Sequence, residues 1–188
     1  MNEMFIKALG FANEKHAGQM RKDGKTPYIW HPIAVAELLK KAGYGEKYQV
    51  VALLHDTLED TDATEKEILS FGEEILKSVK LLTRPEGADE RKYVAGILKD
   101  DMAAVVKNAD KICNLYDSVY NGKTGENRDP KAVAFAQRYL QKAEKYYKNK
   151  FSKALDDTIQ FTGEALSVCV VPDPVSPNYT QEEMKIYR

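Results

Sequence analysis

Apolar residues that recur at steps of three and four most strongly constrain how this chain of 188 residues can fold. In the first segment, Phe5, Leu9 and Ala12 follow this spacing. It places apolar side chains on one face of an α-helix, and that face must be buried against other helices. The pattern predicts an all-α helical bundle, with helices over residues 3–17, 32–41, 46–58, 64–72, 73–82, 89–98, from 101 onward, 131–150 and 152–160. A capping-box pattern over residues 64–67 predicts one helix start, and Asp101 is predicted to cap the helix that begins there.

Polar segments and prolines divide the chain between these helices. Residues 18–28 contain Asp-Gly and Pro and predict a loop or a small hairpin, and residues 121–130 predict a second loop. Residues 167–171 favour extended structure, and three prolines follow them. We predict one domain over residues 1–163 and a C-terminal tail over residues 164–188 that is extended or partly disordered.

Composition excludes several classes of protein. The hydrophobic fraction of 43% argues against a disordered chain, and the 28 Lys and Arg nearly balance the 29 Asp and Glu. Because the chain lacks a strong basic field, we expect neither a nucleic-acid nor a membrane partner. The two cysteines cannot form a disulfide framework, and no leader or membrane-spanning stretch is evident. These features predict a soluble, cytoplasmic protein.

The segment over residues 52–60 combines an apolar half with four ionisable residues, one histidine and three acids. Helical spacing predicts Glu59 one turn from His55 and Asp60 one turn from Asp56. Crowded carboxylates in a partly dry site are unfavourable unless a cation or hydrogen bonds compensate their charge. A divalent metal is the compact solution. The alternative is that Glu59 and Asp60 face solvent while Asp56 pairs with a lysine.

Two further segments place histidine and aspartate in comparable settings. His31 precedes Pro32 at a predicted helix start, where its side chain can point into a bundle. Asp110 lies in an apolar helical stripe and therefore requires a partner, and Asn114 follows it by one turn. Together with the histidine and aspartate at 55 and 56, these residues form the order His…His-Asp…Asp.

This order resembles the HD superfamily of metal-dependent phosphohydrolases. The neighbouring residues are similar to RelA/SpoT-type (p)ppGpp hydrolase domains, and the resemblance spans about residues 5–150. Three motifs carry it: FAxxxHxGQxRKDGxxPYIxHP over 11–32, ALLHDTLEDT over 52–61 and KxADKxxNL over 107–115. The chain resembles the small stand-alone hydrolases of that group, because we expect neither a synthetase nor a regulatory region after this domain.

The resemblance implies one bound metal ion, Mn²⁺, although Zn²⁺, Ni²⁺ or Fe²⁺ would also suit mixed imidazole and carboxylate ligands. His16 lies on the apolar face of the first helix and is predicted to be a hydrogen-bonded core histidine rather than a ligand. The implied metal ligands are His31, His55, Asp56 and Asp110.

Glu59 and Asp60 match the acidic pair that the family places beside the metal. The resemblance implies that they orient or deprotonate the attacking water and handle the proton of the leaving group. Both assignments of base and acid fit the sequence. An alternative is that the pair only orients the His31 or His55 ligand and takes no part in proton transfer.

Five further residues match positions that the family places near the substrate. The resemblance implies that Arg21 packs against the nucleotide base, that Lys22 assists at the base or phosphates, and that Asn114 contacts ribose or phosphate. Lys107 and Tyr139 match positions near the substrate. The alternative is an exposed charged loop for Arg21 and Lys22, and a structural role for Lys107 and Tyr139.

These observations predict an Mn²⁺-dependent hydrolase that releases pyrophosphate from the 3′ position of guanosine 3′,5′-bis(diphosphate) alarmones, with a small nucleotide as partner. Tyr116 stands where the family commonly has arginine, Asn108 replaces a usual apolar residue, and residues 117–130 do not match. One alternative is therefore a phosphatase for another nucleotide or an NADPH-like phosphate ester. Another is a nucleotide-sensing module without turnover.

Overall fold

The computed structural model describes residues 3–120, 130–167 and 177–187. The described residues are organised as an all-α bundle, as predicted. Its helices are α1 (Glu3–Lys15), α2 (Trp30–Lys41), α3 (Glu46–Leu54), α4 (Thr57–Asp60), α5 (Glu65–Leu69), α6 (Glu73–Leu82), α7 (Glu90–Ile97), α8 (Asp101–Tyr120), α9 (Pro130–Tyr146) and α10 (Lys153–Ser167).

Helices α3 and α8 form the centre of the bundle. All five residues from Val50 to Leu54 are fully buried, because α3 packs against α1, α2, α6 and α8. Helix α8 contributes Val106, Ala109 and Ile112 to the same core. The residues that follow α3 and the middle of α8 are thus held in the interior. Among the described helices, none is long and apolar enough to cross a membrane.

The predicted helix over 46–58 is interrupted, which corrects the expectation of one continuous helix. Helix α3 ends at Leu54, and α4 begins at Thr57 after a turn. The Thr57 hydroxyl donates to the Leu54 carbonyl at 2.7 Å, and Asp56 adopts φ −101° and ψ −3°. The break leaves His55 and Asp56 in the turn, whereas Glu59 and Asp60 belong to α4.

Helix starts follow their local sequence signals with one shift. The capping box at Thr64 and Glu67 is formed as predicted. At α8, however, Asp100 rather than Asp101 accepts a hydrogen bond from the Ala103 N–H, at 2.9 Å. Residues 18–28 form the small hairpin, with a bridge between Met20 and Pro27. Most of the loop predicted over 121–130 lies outside the described residues, and α9 begins at Pro130.

The C-terminal part differs from expectation in where the helix ends. Helix α10 continues to Ser167, beyond the predicted helix end at residue 160 and the predicted domain boundary at residue 163. Residues 168–171 of the predicted extended stretch lie outside the described residues. Residues 177–187, here called the C-terminal segment, pack on the bundle, and Met184 is fully buried. The division into domain and tail otherwise stays a prediction.

Candidate metal and substrate site

Three elements bring two histidines and an aspartate together in the interior. His31 lies in the first turn of α2, His55 follows α3, and Asp110 lies in the middle of α8. Asp110 Oδ1 is 3.1 Å from His31 Nε2 and 3.8 Å from His55 Nε2. One ligand atom from each of the three residues lies within 4.8 Å of the others, and all three residues are buried.

Asp56 lies at the edge of this cluster. Its Oδ2 atom is 2.9 Å from His55 Nε2 and 4.0 Å from His31 Nε2. It is not among the three residues whose ligand atoms all lie within 4.8 Å of one another. The structure therefore brings together all four predicted ligands, with three in a tight group and Asp56 contacting both imidazoles.

The donor set fits a divalent cation. The His55 Nδ1 atom lies 2.7 Å from the Ala52 carbonyl and can donate its hydrogen there, so that in the neutral imidazole the lone pair is on Nε2. In the described part of the chain, Nε2 is buried and makes no aligned hydrogen bond, although the Asp56 carboxylate is near. Two imidazoles and two carboxylates suit Mn²⁺, Zn²⁺ or Fe²⁺.

Without a metal, the charges of the cluster compensate one another. Burial lowers the pKa of His55, but the charge of Asp56 and the contacts of Asp110 outweigh burial and raise it to about 10. Burial also lowers the pKa of His31, and there the hydrogen bond to Asp110 only partly offsets it. The pKa of Asp110 is well below its ordinary value, because Lys107 and the histidines outweigh burial.

Both oxygens of Asp110 are held by other side chains. Lys107 Nζ lies 3.0 Å from Oδ2, and the Asn114 amide donates to Oδ1 at 2.5 Å. Arg21 donates in turn to Asn114 at 3.0 Å and to Asp117 at 2.5 Å. A polar chain thus connects the 18–28 hairpin to a predicted ligand. The predicted contacts of Arg21, Lys107 and Asn114 with substrate stay predictions.

The acidic pair diverges after the helix break. Glu59 Oε2 accepts a hydrogen bond from the Arg84 N–H at 2.8 Å. The Asp60 carboxylate lies 3.5 Å from the Tyr28 hydroxyl, on the side of the metal cluster. Burial and the charge of Asp56 raise the pKa of Asp60 above its ordinary value. The catalytic roles of both residues stay predictions.

The remaining predicted substrate residues are in aromatic surroundings. Lys22 Nζ lies 3.5 Å from the centre of the Phe135 ring, and burial followed by the charge of Arg21 lowers its pKa. The Tyr139 hydroxyl accepts a hydrogen bond from Lys111 Nζ at 2.9 Å. Lys111 is buried beside Lys107, and these two causes lower its pKa to about 7. Lys22 and Lys111 therefore both contact aromatic rings of α9.

Sequence reasoning assigned no role to Tyr28, Lys111 or Asp117, although each contacts a predicted site residue. Tyr28 and Lys111 stand inside the quoted motifs, so the motifs contained the signal. Asp117 follows Asn114 by three residues on α8, and helical spacing alone places them on one face. His16 is buried with its Nδ1 atom 2.8 Å from Gln19 Oε1, which confirms its prediction as a core histidine.

Asn108 and Tyr116, which depart from the family pattern, lie on the face of α8 that packs against the C-terminal part of the chain. The Asn108 amide donates to the Met184 carbonyl at 3.4 Å and accepts from the Ser152 hydroxyl at 2.9 Å. The Tyr116 ring stacks on Phe161 with 5.3 Å between ring centres. Helical spacing puts both roughly opposite the residue at 110.

Comparison with known proteins shows which family and which relatives this chain resembles. The sequence profile of the HD domain family matches residues 8–141, which is more than half of the chain. The guanosine-3′,5′-bis(diphosphate) 3′-pyrophosphohydrolase of Aquifex aeolicus is 38% identical over 122 residues, which cover 60% of this chain and 17% of that protein. The Danio rerio protein of the same name, MESH1, is 41% identical over 123 residues, which cover 61% of this chain and 68% of that protein.

A solved structure shares the fold. It is described as a metazoan ortholog of SpoT that hydrolyses ppGpp, and it superposes with a TM-score of 0.65 at 27% identity. The superposition covers 87% of this chain and 96% of that structure. The chain therefore matches nearly all of a small relative, but less than a fifth of the long Aquifex protein.

Proposed function

Because this chain belongs to the HD domain family, we propose that it is a metal-dependent phosphohydrolase that removes the 3′-diphosphate of guanosine 3′,5′-bis(diphosphate). The observation that carries the proposal is the buried cluster of His31, His55 and Asp110, with Asp56 in contact with both imidazoles. The names of the Aquifex and Danio relatives support the substrate.

The metal ligands in this proposal are His31, His55, Asp56 and Asp110, and the proposed ion is Mn²⁺. When bound, such an ion supplies Lewis-acid polarisation of the phosphoryl oxygens. The polypeptide provides a dry, pre-arranged donor set for it, because the histidines are buried and the His55 tautomer is fixed by the Ala52 carbonyl.

The reaction consumes one water. Its oxygen forms a bond to the phosphorus attached to the ribose 3′ oxygen, and the bond between that oxygen and phosphorus breaks. One member of the Glu59 and Asp60 pair takes a proton from the water, and the other supplies one to the 3′ oxygen. Burial and the charge of Asp56 raise the pKa of Asp60, and this direction favours its protonated form more than in an ordinary aspartate. The products are GDP and pyrophosphate.

The nucleotide would lie between the 18–28 hairpin and helices α8 and α9. Arg21 packs against the base and Lys22 meets the base or phosphates, while Lys107, Asn114 and Tyr139 line the inner side. The cationic side chains offset the charge of two diphosphates, which would otherwise oppose entry into a site with several carboxylates. Arg21 exchanges its contacts with Asn114 and Asp117 for the base.

The departures from the family pattern at Asn108 and Tyr116 do not favour a second substrate class. The Asn108 amide is hydrogen-bonded to Ser152 and Met184, and the Tyr116 ring stacks on Phe161. Neither side chain therefore points toward the proposed pocket. Their identities are explained by packing against the C-terminal part of the chain. The alarmone therefore remains the proposed substrate.

A product analysis tests this function. Metal-free protein is supplied with Mn²⁺ and incubated with guanosine 3′,5′-bis(diphosphate), and the products are separated by anion exchange. We expect GDP and pyrophosphate in equal amounts. Parallel reactions with NADPH and with deoxynucleoside triphosphates test the alternative phosphate esters. Turnover of these but not of the alarmone, or no turnover of any with metal bound, would contradict the proposal.

A further inference from the structure

Tyr28 lies between the two carboxylates on which the proposed function depends. Its hydroxyl donates to Asp56 Oδ2 at 2.6 Å and is 3.5 Å from Asp60 Oδ2. Asp56 is a proposed metal ligand, and Asp60 belongs to the proposed acid and base pair. One side chain therefore contacts both the metal-binding and the proton-handling carboxylates.

The position of the Tyr28 ring is fixed on several sides. The backbone N–H of Tyr28 donates to the Gln19 carbonyl at 2.9 Å, and the His31 N–H donates to the Tyr28 carbonyl at 2.9 Å. The ring lies 4.8 Å from the buried His16 ring and 6.0 Å from the His31 ring, measured between centres. A hydroxyl on so constrained a ring holds its acceptor in one orientation.

Asp56 is the carboxylate that most needs such a partner. The other proposed carboxylate ligand, Asp110, is held by Lys107 and Asn114, and its Oδ1 atom belongs to the tight group. Asp56 lies at the edge of that group and has a partly exposed side chain, at 18%. A protonated tyrosine hydroxyl is a donor at neutral pH, so it orients a carboxylate without neutralising it.

We propose that Tyr28 is a positioning residue that fixes the Asp56 carboxylate for metal binding and sets its separation from Asp60. The proposal rests on the proposed function for the identity of the metal site. Tyr28 itself does not contact the reacting phosphorus in this scheme. It acts through Asp56, and its loss first affects metal affinity.

The test compares Y28F with Y48F. The Tyr48 hydroxyl makes the same type of bond, to Asp101 Oδ2 at 2.7 Å, between α3 and α8 but away from the metal cluster. Metal-free wild type and both variants are titrated with Mn²⁺, and the dissociation constants are measured. We expect Y28F to bind Mn²⁺ about 10- to 100-fold more weakly than wild type, and Y48F to bind it as wild type does.

Equal Mn²⁺ affinity of Y28F and wild type would overturn the proposal, as would an equal loss in Y48F. Y28F keeps the ring that packs on His16, so we expect it to fold. If its metal-free Tm is lower, the rise in Tm on adding Mn²⁺, measured from that lower value, gives the same comparison. Because the readout is metal affinity, a wild type that binds Mn²⁺ but leaves the alarmone intact would contradict the proposed function and not this role of Tyr28.

Discussion

A histidine can offer a lone pair from one ring nitrogen only when the proton stays on the other, and His55 meets this condition through the Ala52 carbonyl. That carbonyl is available because α3 ends one residue before the histidine, so the helix break prepares the ligand. The same break turns Asp56 toward both imidazoles and Asp60 toward Tyr28. At the scale of single residues, the site depends on where one helix stops.

The acidic pair gives the first prediction. We expect D60N and E59Q to lower kcat for alarmone hydrolysis by about 10²- to 10⁴-fold, because each removes a proposed proton carrier. Mn²⁺ affinity should stay unchanged, since neither residue is a proposed ligand. D62N is the matched control, because the Asp62 side chain is 87% exposed and pairs with Lys15. Wild-type kcat in both site variants would contradict the assigned roles.

At the scale of elements, α8 carries two unlike faces. One face presents Lys107, Asp110 and Asn114 to the metal cluster, and the opposite face presents Asn108 and Tyr116 to α10 and the C-terminal segment. Only the first three of these positions belong to the proposed metal cluster or contact it. The structure separates a chemical face from a packing face.

The two faces of α8 should respond differently to substitution. N108A removes a fully buried amide that bonds Ser152 and Met184, so we expect a lower free energy of unfolding by about 1–2 kcal/mol, with kcat and KM unchanged. N114A should lower kcat/KM by about 10-fold or more, because it releases Asp110. Urea unfolding and steady-state kinetics measure both. A change of substrate preference in N108A would refute this division.

The capping box at the start of α5 makes the stability of the fold depend on pH. The backbone and side chain of Thr64, and then Lys15, lower the pKa of Glu67 from 4.5 to about 2. The ionised form therefore stabilises the fold above about pH 4.5, and its contribution is lost as the pH falls toward 2. We expect E67Q to be less stable than wild type at pH 7, with a gap that narrows by pH 3.

Urea unfolding across this pH range checks the expectation for Glu67. E14Q, which changes an exposed glutamate outside the capping box, controls for the loss of one negative charge. A gap between wild type and E67Q that stays constant from pH 7 to pH 3 would be inconsistent with the lowered pKa.

The helices were predictable and the break between α3 and α4 was not. Periodic apolar residues determine which segments form helices, and a local capping signal at Thr64 marked one start correctly. The turn at Asp56 has no glycine or proline to signal it. It is stabilised instead by a threonine hydroxyl and by partners from α2 and α8, which sequence periodicity does not report.

At the scale of the whole molecule, the C-terminal segment returns to the bundle centre. The Glu183 carbonyl accepts from the Ala154 N–H at 2.9 Å, and the Tyr187 N–H donates to the Phe151 carbonyl at 2.6 Å. Met184 lies between these contacts and is fully buried. The segment therefore belongs to the packed structure, behind the helix that carries Asp110.

Met184 tests this packing. We expect M184A to lower the free energy of unfolding by about 2–4 kcal/mol, because it leaves a cavity in a buried region. M20A is the control, since Met20 is 53% exposed and its loss should matter little. Urea denaturation measures both. Equal stability of M184A and wild type would show that the segment does not contribute to the core in solution.

Long-range pairing limited what the sequence could predict about the whole chain. The motifs predicted the metal ligands and the acidic pair through the family resemblance, and these roles stay predictions. They did not reveal that Arg21 contacts Asp117, 96 residues away, or that Asn108 receives the C-terminal segment. Proline-rich composition predicted an extended tail, and it carries no periodic signal for a buried methionine.

The central claim is that four side chains hold one divalent ion, and a metal titration tests it most directly. Metal-free protein is titrated with Mn²⁺ while bound metal is counted per chain, alongside H55Q and D56N variants whose folding is verified by circular dichroism. We predict one ion per wild-type chain and at least 10-fold weaker binding in both folded variants. A wild type that takes up no ion, or variants that bind it equally well, would contradict the account.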